Sequence, residues 1–249
     1  MTRKPYGMIC PITRVCEILE PRWTIPILTA LWCGETKFND LRREIGSISP
    51  ALLSKRLKEL ESIGLVERIE NPATGSVDYL RTEMAIALDP ALTALAHWAQ
   101  RNVDADTAMG TATASNLMWK IRRCFDPDEL PRRRVVMQFR FADEGLEHDT
   151  YWVILRPDAL VEICTSIPEF NIDLFVETTV KSLLGVLLGR TTVDRELDLG
   201  ELFLSGDPVL SRTMNRWLEL SEYSTLEGIE LLPEQRTCAI GIKRSHQSS

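Results

Sequence analysis

Lys55, Arg56 and Lys58 crowd into the run SPALLSKRLKELESIGLVER at residues 49–68. Their chemistry is that of cations: attraction to phosphates and hydrogen-bond donation to base edges. Ser49 and Ser54 add hydroxyls to the same run, Arg42 and Arg43 precede it, and Arg68 and Arg81 follow it. Phosphate contacts position a protein on DNA, whereas base-edge contacts read sequence. Arg42 and Arg43 suit phosphates, and the cations and hydroxyls of residues 49–58 suit base edges. The other reading of Lys55, Arg56 and Lys58 is a solvated helix face paired with Glu59 and Glu61. Cys10, before Pro11, is a second chemical candidate. A sensing thiol needs a lowered pKa and access, and Arg3, Lys4 and a helix start lie close in sequence. A packing role suits the same cysteine.

Other chemistries lack their residue patterns. Six cysteines contain no CxxC pair, and three histidines are far apart, so no metal site is expected. There is no glycine-rich phosphate loop and no Gly-x-Ser-x-Gly elbow, so neither an enzyme nor a cofactor is expected. Glu162, Glu177, Asp194 and Glu196 read as solvated charges. Cys16 and Cys33 have apolar neighbours and read as core. No stretch approaches membrane-span length, and residues 1–11 lack the apolar run of a secretion signal. A cytoplasmic protein with reduced thiols and no membrane partner is expected.

The elements that must position the cations are legible. Ser49 suits an N-cap and Pro50 a first turn. Leu52, Leu53, Leu57, Leu60 and Ile63 recur at helical spacing, and Gly64 suits the residue after a helix. Helices are expected over 11–19, 23–33, a segment capped by Thr36 that holds Phe38, Leu41 and Ile45, and 88–101. Strands over 65–70 and 77–82 flank the turn NPATGS. Helix, turn, basic helix and hairpin make a winged helix-turn-helix. The net charge of −7 argues weakly against nucleic acid, yet it is unevenly spread. Residues 1–101 hold 13 basic and 12 acidic residues, and the remainder holds 16 and 24.

Three domain segments are expected: 8–101 for DNA, a linker at 102–114, and an α+β domain at 115–246. The last has a helix at 116–125, strands at 134–141, 150–155, 159–165, 171–176 and 202–204, helices at 179–188 and 208–220, and a short helix or turn at 193–199. An antiparallel sheet with helices over one face is expected. Asp207 suits a helix cap before Pro208.

Residues 10–98 resemble the HxlR-type winged-helix regulators of bacteria. The likeness rests on Cys10-Pro11, Arg22-Trp23-Thr24, Phe38-x-x-Leu41-Arg42, Ile48-Ser49-x-x-Leu52-Leu53-Ser54-x-Arg56-Leu57, Gly64-Leu65-Val66-x-Arg68 and Val77-Asp78-Tyr79. It departs at LRTEMA, residues 80–85, where Ala85 stands in place of a glycine. The resemblance implies a homodimer on palindromic double-stranded DNA, joined through terminal helices that match 11–19 and 88–101. In some members the cysteine before this proline senses oxidants or electrophiles.

Residues 133–220 resemble the sterol carrier protein type 2-like domain through Leu188-Gly189-Arg190 and Gly200-x-Leu202-x-x-Ser205-Gly206-Asp207. That resemblance implies a tunnel for a lipid-like or other apolar ligand, walled by Phe175, Leu183, Leu184, Leu187, Leu204, Leu210, Met214 and Trp217. The same side chains suit a ligand-free core. The expected function is transcription regulation gated by such a ligand. The alternatives are a regulator switched through Cys10, or a lipid carrier.

Overall fold

The computed structural model describes residues 6, 7 and 9–233. Arg3, Lys4, Cys238 and His246 lie outside the described residues. Contacts divide the chain into two compact units, 1–93 and 94–249.

The first unit begins with α1 (Pro11–Leu19), α2 (Thr24–Trp32), α3 (Phe38–Ile45) and α4 (Pro50–Ser62). Ser49 caps α4 by accepting the Leu52 amide at 3.3 Å. Leu53, Leu57 and Leu60 of α4 are buried against Ile27 and Leu31 of α2 and Leu41 of α3 in a single core. Leu52 is only partly buried and Ile63 is 43% exposed, so the leucine stripe is narrower than its spacing suggests. Cys16 and Cys33, expected in the core, are exposed. Cys16 sits on α1, which buries no residue.

The strands β1 (Val66–Glu70) and β2 (Val77–Arg81) pair antiparallel, with Arg68 opposite Tyr79. Asn71 Oδ1 accepts the Ala73 amide at 2.9 Å and shapes the intervening turn. Thr36 does not cap α3. Its hydroxyl donates to Asp78 Oδ1 at 2.6 Å, and Lys37 Nζ donates to Asp78 Oδ2 at 2.6 Å. The Tyr79 amide also donates to the Thr36 carbonyl at 2.9 Å. The hairpin is therefore tied to the residues that lead into α3. A short helix, α5 (Glu83–Ile86), follows, capped by Thr82, and α6 (Asp89–Asn102) passes from the first unit to the second.

The second unit adds α7 (Ala105–Met109) within the segment expected as linker, with Ala105 and Met109 buried. Then come α8 (Ala114–Ile121), β3 (Val135–Phe141), β4 (Thr150–Leu155), β5 (Glu162–Cys164) and β6 (Leu174–Thr178). They are followed by α9 (Val180–Leu187), α10 (Val193–Asp198), β7 (Leu202–Gly206), α11 (Pro208–Arg212) and α12 (Met214–Trp217). The sheet order is β5-β4-β3-β6-β7. It is not wholly antiparallel, because β3 and β6 run parallel. Residues 165–173 must return the chain from one edge past β4 and β3, and that crossover sets the parallel pair.

Period-two burial places Val135, Met137, Phe139 and Phe141 of β3 in the main core, with Leu117, Ile121, Leu183 and Leu187 from the helices. The helix expected at 208–220 breaks at Thr213 into α11 and α12. Asp207 caps α11 by accepting the Val209 and Leu210 amides. Gly206 has φ +123°, and a Cβ there would stand 2.3 Å from the Asp173 carbonyl oxygen. Backbone proximity thus explains the glycine before Asp207.

The core also holds charge. Glu196, expected in solvent, has no exposed surface. Thr192 starts α10 so that the fourth residue on turns inward, where Glu196 accepts the Ser182 hydroxyl at 2.6 Å and the Thr191 hydroxyl at 2.5 Å. Arg190 is 1% exposed and donates to Gln100 Oε1 at 3.1 Å and to the Glu230 carbonyl at 3.0 Å. A buried polar group needs such partners, because leaving it unpaired costs its full desolvation.

Two outcomes follow. Glu196→Ala strands two hydroxyls and lowers stability by about 1–3 kcal/mol, read by urea denaturation. The hydrogen bonds from Lys37 and Thr36 hold the Asp78 carboxyl below the usual aspartate range. Its folded pKa is below its unfolded value, so its stabilisation is complete above about pH 3.9 and is lost as pH falls through the folded value. Asp78→Asn should thus melt below wild type at pH 7, and the gap should close in acid.

Candidate nucleic-acid interface

With 3.6 residues per turn, the buried Leu53, Leu57 and Leu60 fix which side of α4 faces away from the core. Ala51, Ser54, Lys55, Lys58 and Ser62, with Glu59, line a shallow open concavity on that outward side. Lys55 and Lys58 are exposed. Among the described residues Lys58 forms no ion pair, and Lys55 Nζ stands 4.0 Å from Glu59 Oε1. Ser54 is partly buried, and Ser49 is exposed at the cap.

Arg56 stands apart from these. Its side chain is only 17% exposed, one guanidinium nitrogen donates to Glu59 Oε2, and its Nε is buried without a hydrogen-bond partner among the described residues. Helix geometry explains this, because Arg56 adjoins Leu57 and Leu53 on the flank of the buried stripe. The i,i+3 spacing of Arg56 and Glu59 was the sequence signal for this pairing.

The other cations divide in the same way. Arg42 and Arg43 are exposed on α3, with Arg43 3.5 Å from Asp40. Arg68 lies on β1 with both terminal nitrogens 3.2 Å from Glu70 Oε2. The Glu70 carboxylate, and to a lesser degree Tyr79, raise its pKa above the ordinary arginine value. Arg81 is only 19% exposed and places one nitrogen 2.7 Å from both Asp89 oxygens. Its guanidinium also lies 5.8 Å from the centre of the Trp32 ring. The structure therefore places Arg81 in a brace between β2 and the start of α6. Thr82 donates to the Gly64 carbonyl at 2.6 Å. These contacts, with α5, occupy the stretch where the LRTEMA sequence departs from the family pattern.

Cys10 is exposed at the N-cap of α1, where its carbonyl accepts the Thr13 and Arg14 amides at 3.0 and 3.3 Å. No disulfide joins the described cysteines. Cys164 presents the opposite environment: burial, then the nearby Glu162 charge, push its thiol pKa up.

The eight apolar residues named as tunnel wall do not share one surface. Leu183, Leu187, Leu210, Met214 and Trp217 are buried in the main core, and Leu184 and Leu204 are partly buried against it. The Trp217 indole donates to the Leu210 carbonyl at 2.8 Å. Phe175 is 36% exposed and alternates with the buried Leu174 and Val176, so it lies on the other face of the sheet. Among the described residues no cluster of His, Cys, Asp and Glu suits a metal ion, and no helix is long and apolar enough to cross a membrane.

Residues 18–107 match the model of the HxlR-like helix-turn-helix family. The HTH-type transcriptional regulator YtfH of Escherichia coli K12 is 36% identical over 95 residues, which cover 38% of this chain and 75% of YtfH. YvaP of Bacillus subtilis 168, also an HTH-type regulator, is 34% identical over 98 residues, covering 39% of this chain and 91% of YvaP. Among solved structures, reduced YodB from B. subtilis is 32% identical, covers 39% of this chain and 97% of its own, and has a TM-score of 0.35. The oxidised form of the redox regulator HypR is 28% identical, with coverages of 38% and 99% and a TM-score of 0.36. These relatives are transcriptional regulators, not enzymes. The capped helix α4, the hairpin and the identity shared with YtfH and YvaP together place this chain in the HxlR-like helix-turn-helix family of transcriptional regulators.

Proposed function

We propose that this regulator binds palindromic operator DNA as a homodimer and that the Cys10 thiol sets its occupancy. The observation that carries DNA binding is the outward face of α4, which sets exposed Lys55 and Lys58 opposite a buried leucine stripe. In this reading α4 enters the major groove, while Arg42, Arg43 and Arg68 meet phosphates.

Dimerisation is supported by α1. Its apolar Ile12, Val15 and Ile18 are 72%, 43% and 39% exposed, and nothing in the helix is buried. A sequence that amphipathic loses the benefit of its apolar side unless a partner covers it. On α6, Leu95 and Trp98 are 54% and 59% exposed. A second copy covers like with like under two-fold symmetry. It also sets two reader helices one DNA turn apart, about 34 Å.

The thiol reading rests on access. Cys10 is exposed at a helix start, whereas Cys164 is partly buried with a raised pKa. Modification would alter DNA affinity only by favouring one placement of the two readers over another. The sterol-carrier resemblance supports a different effector, an apolar molecule held in the second unit. One experiment separates them. Purified protein is bound to its upstream DNA in physiological salt with competitor DNA, and then given a mild oxidant or an organic extract. Oxidant should release wild type reversibly with thiol reductant, and should leave Cys10→Ser bound. Release by extract alone, equally in Cys10→Ser, would replace the thiol reading with the ligand reading.

The seam has its own test. Ile12→Glu with Val15→Glu should convert dimer to monomer in sedimentation equilibrium and weaken operator binding at least tenfold, with unchanged helical circular dichroism. A persistent dimer would place the seam elsewhere.

A further inference from the structure

Glu59 is a carboxylate on a surface otherwise supplied with cations and hydroxyls. Its side chain is 45% exposed, and it lines the outward concavity of α4 with Ala51, Ser54, Lys55, Lys58 and Ser62. Beside DNA a negative charge opposes every phosphate, so it lowers affinity for all sequences alike. A general charge effect of that kind carries no sequence information.

The geometry around Glu59 is asymmetric. Oε2 is held by Arg56, whose side chain is mostly buried and turned towards the helix flank. Among the described residues Oε1 has only Lys55, at 4.0 Å and 68% exposed, beyond hydrogen-bond range. Arg56 therefore fixes the carboxylate from behind and leaves one oxygen on the outward side able to accept a new donor. The major groove offers two amino donors, cytosine N4 and adenine N6. The adenine amino group lies beside the N7 acceptor, which repels a carboxylate, whereas the cytosine amino group lies beside C5–H. A glutamate therefore favours cytosine, and guanine offers only acceptors at its O6 and N7. Lys55 and Lys58 flank Glu59 on the helix at i−4 and i−1 and supply the attraction that offsets its charge.

We propose that Glu59 is a specificity-determining residue of the reader helix. It accepts from a cytosine amino group at one base pair of each half-site, and Arg56 is its positioning residue rather than a base reader. This rests on the DNA-binding reading of α4.

The test is selection of bound DNA from a randomised pool by the full-length protein, followed by affinities for single base-pair variants and for non-specific duplex. Wild type should select a C·G pair at one position per half-site. Glu59→Ala should lose about ten- to a hundredfold of preference at that position alone, while binding non-specific duplex more tightly. Arg56→Met should weaken the same preference, leave the other positions unchanged and retain the helical circular dichroism. Two results would overturn the proposal. In one, Glu59→Ala tightens binding to every sequence with no change in the selected pattern, which makes Glu59 a mere counter-charge. In the other, Arg56→Met erases preference at a base pair of its own, which makes Arg56 a reader. If wild type selects no sequence at all, the DNA-binding reading fails first and the assignment of Glu59 falls with it.

Discussion

The outward chemistry of the first unit depends on one constraint: Leu53, Leu57 and Leu60 of α4 must be buried together. Burial of three leucine side chains contributes several kcal/mol, at about 1.5–3 kcal/mol each. Surface ion pairs on the same helix contribute about 0–1 kcal/mol each. The leucines therefore set the rotation of the helix, and the charged side chains take whatever direction that rotation leaves. Lys55 and Lys58 are left facing outward, while Arg56 is left on the flank.

Cations of like type thus have different fates within a short distance. Lys37 and Arg81 each meet an aspartate at 2.6 and 2.7 Å and fasten β2 near its start and at its end. Asp78 draws Lys37 and Thr36 to β2, and Asp89 draws Arg81 to the start of α6. These contacts fix where the hairpin stands relative to α3, and so where Arg68 points its charge. Cations in these braces serve the wing's placement, whereas Lys58 and Arg42 lack any ion pair among the described residues.

The second unit solves a different problem. A parallel neighbour for β3 requires a crossover, and the antiparallel pairing of β7 with β6 brings backbone against backbone at Gly206. This unit also buries polar side chains. Glu196 is matched by two hydroxyls, and Arg190 by the Gln100 amide and backbone carbonyls, so burial of either leaves few unmet hydrogen bonds. These are structural groups, and the seven buried or partly buried residues of the apolar set lie in or against the same core.

Local physics made much of this legible in the amino-acid order. Ser49-Pro50 starts a helix by capping and by the fixed proline angle, and leucines at helical spacing bury one side of it, so α4 needed no distant information. Alternating apolar residues announced β3 in the same way, and an unbroken apolar run announced β4. The inward turn of Glu196, the brace at Arg81 and the separation of Phe175 from its supposed neighbours were not legible. A charge looks the same in sequence whether its partner is solvent, DNA or an aspartate eight residues away. The parallel pairing of β3 with β6 was hidden too, because strand order depends on the path of the crossover. Sequence alone determined α4, the hairpin, β3 and the family pattern they carry, since those follow from neighbours along the chain, whereas α5, α7 and the break at Thr213 did not show in it. Only the tertiary structure decided which cations face outward and which are spent on folding, because that depends on the carboxylates that the fold brings within hydrogen-bond reach.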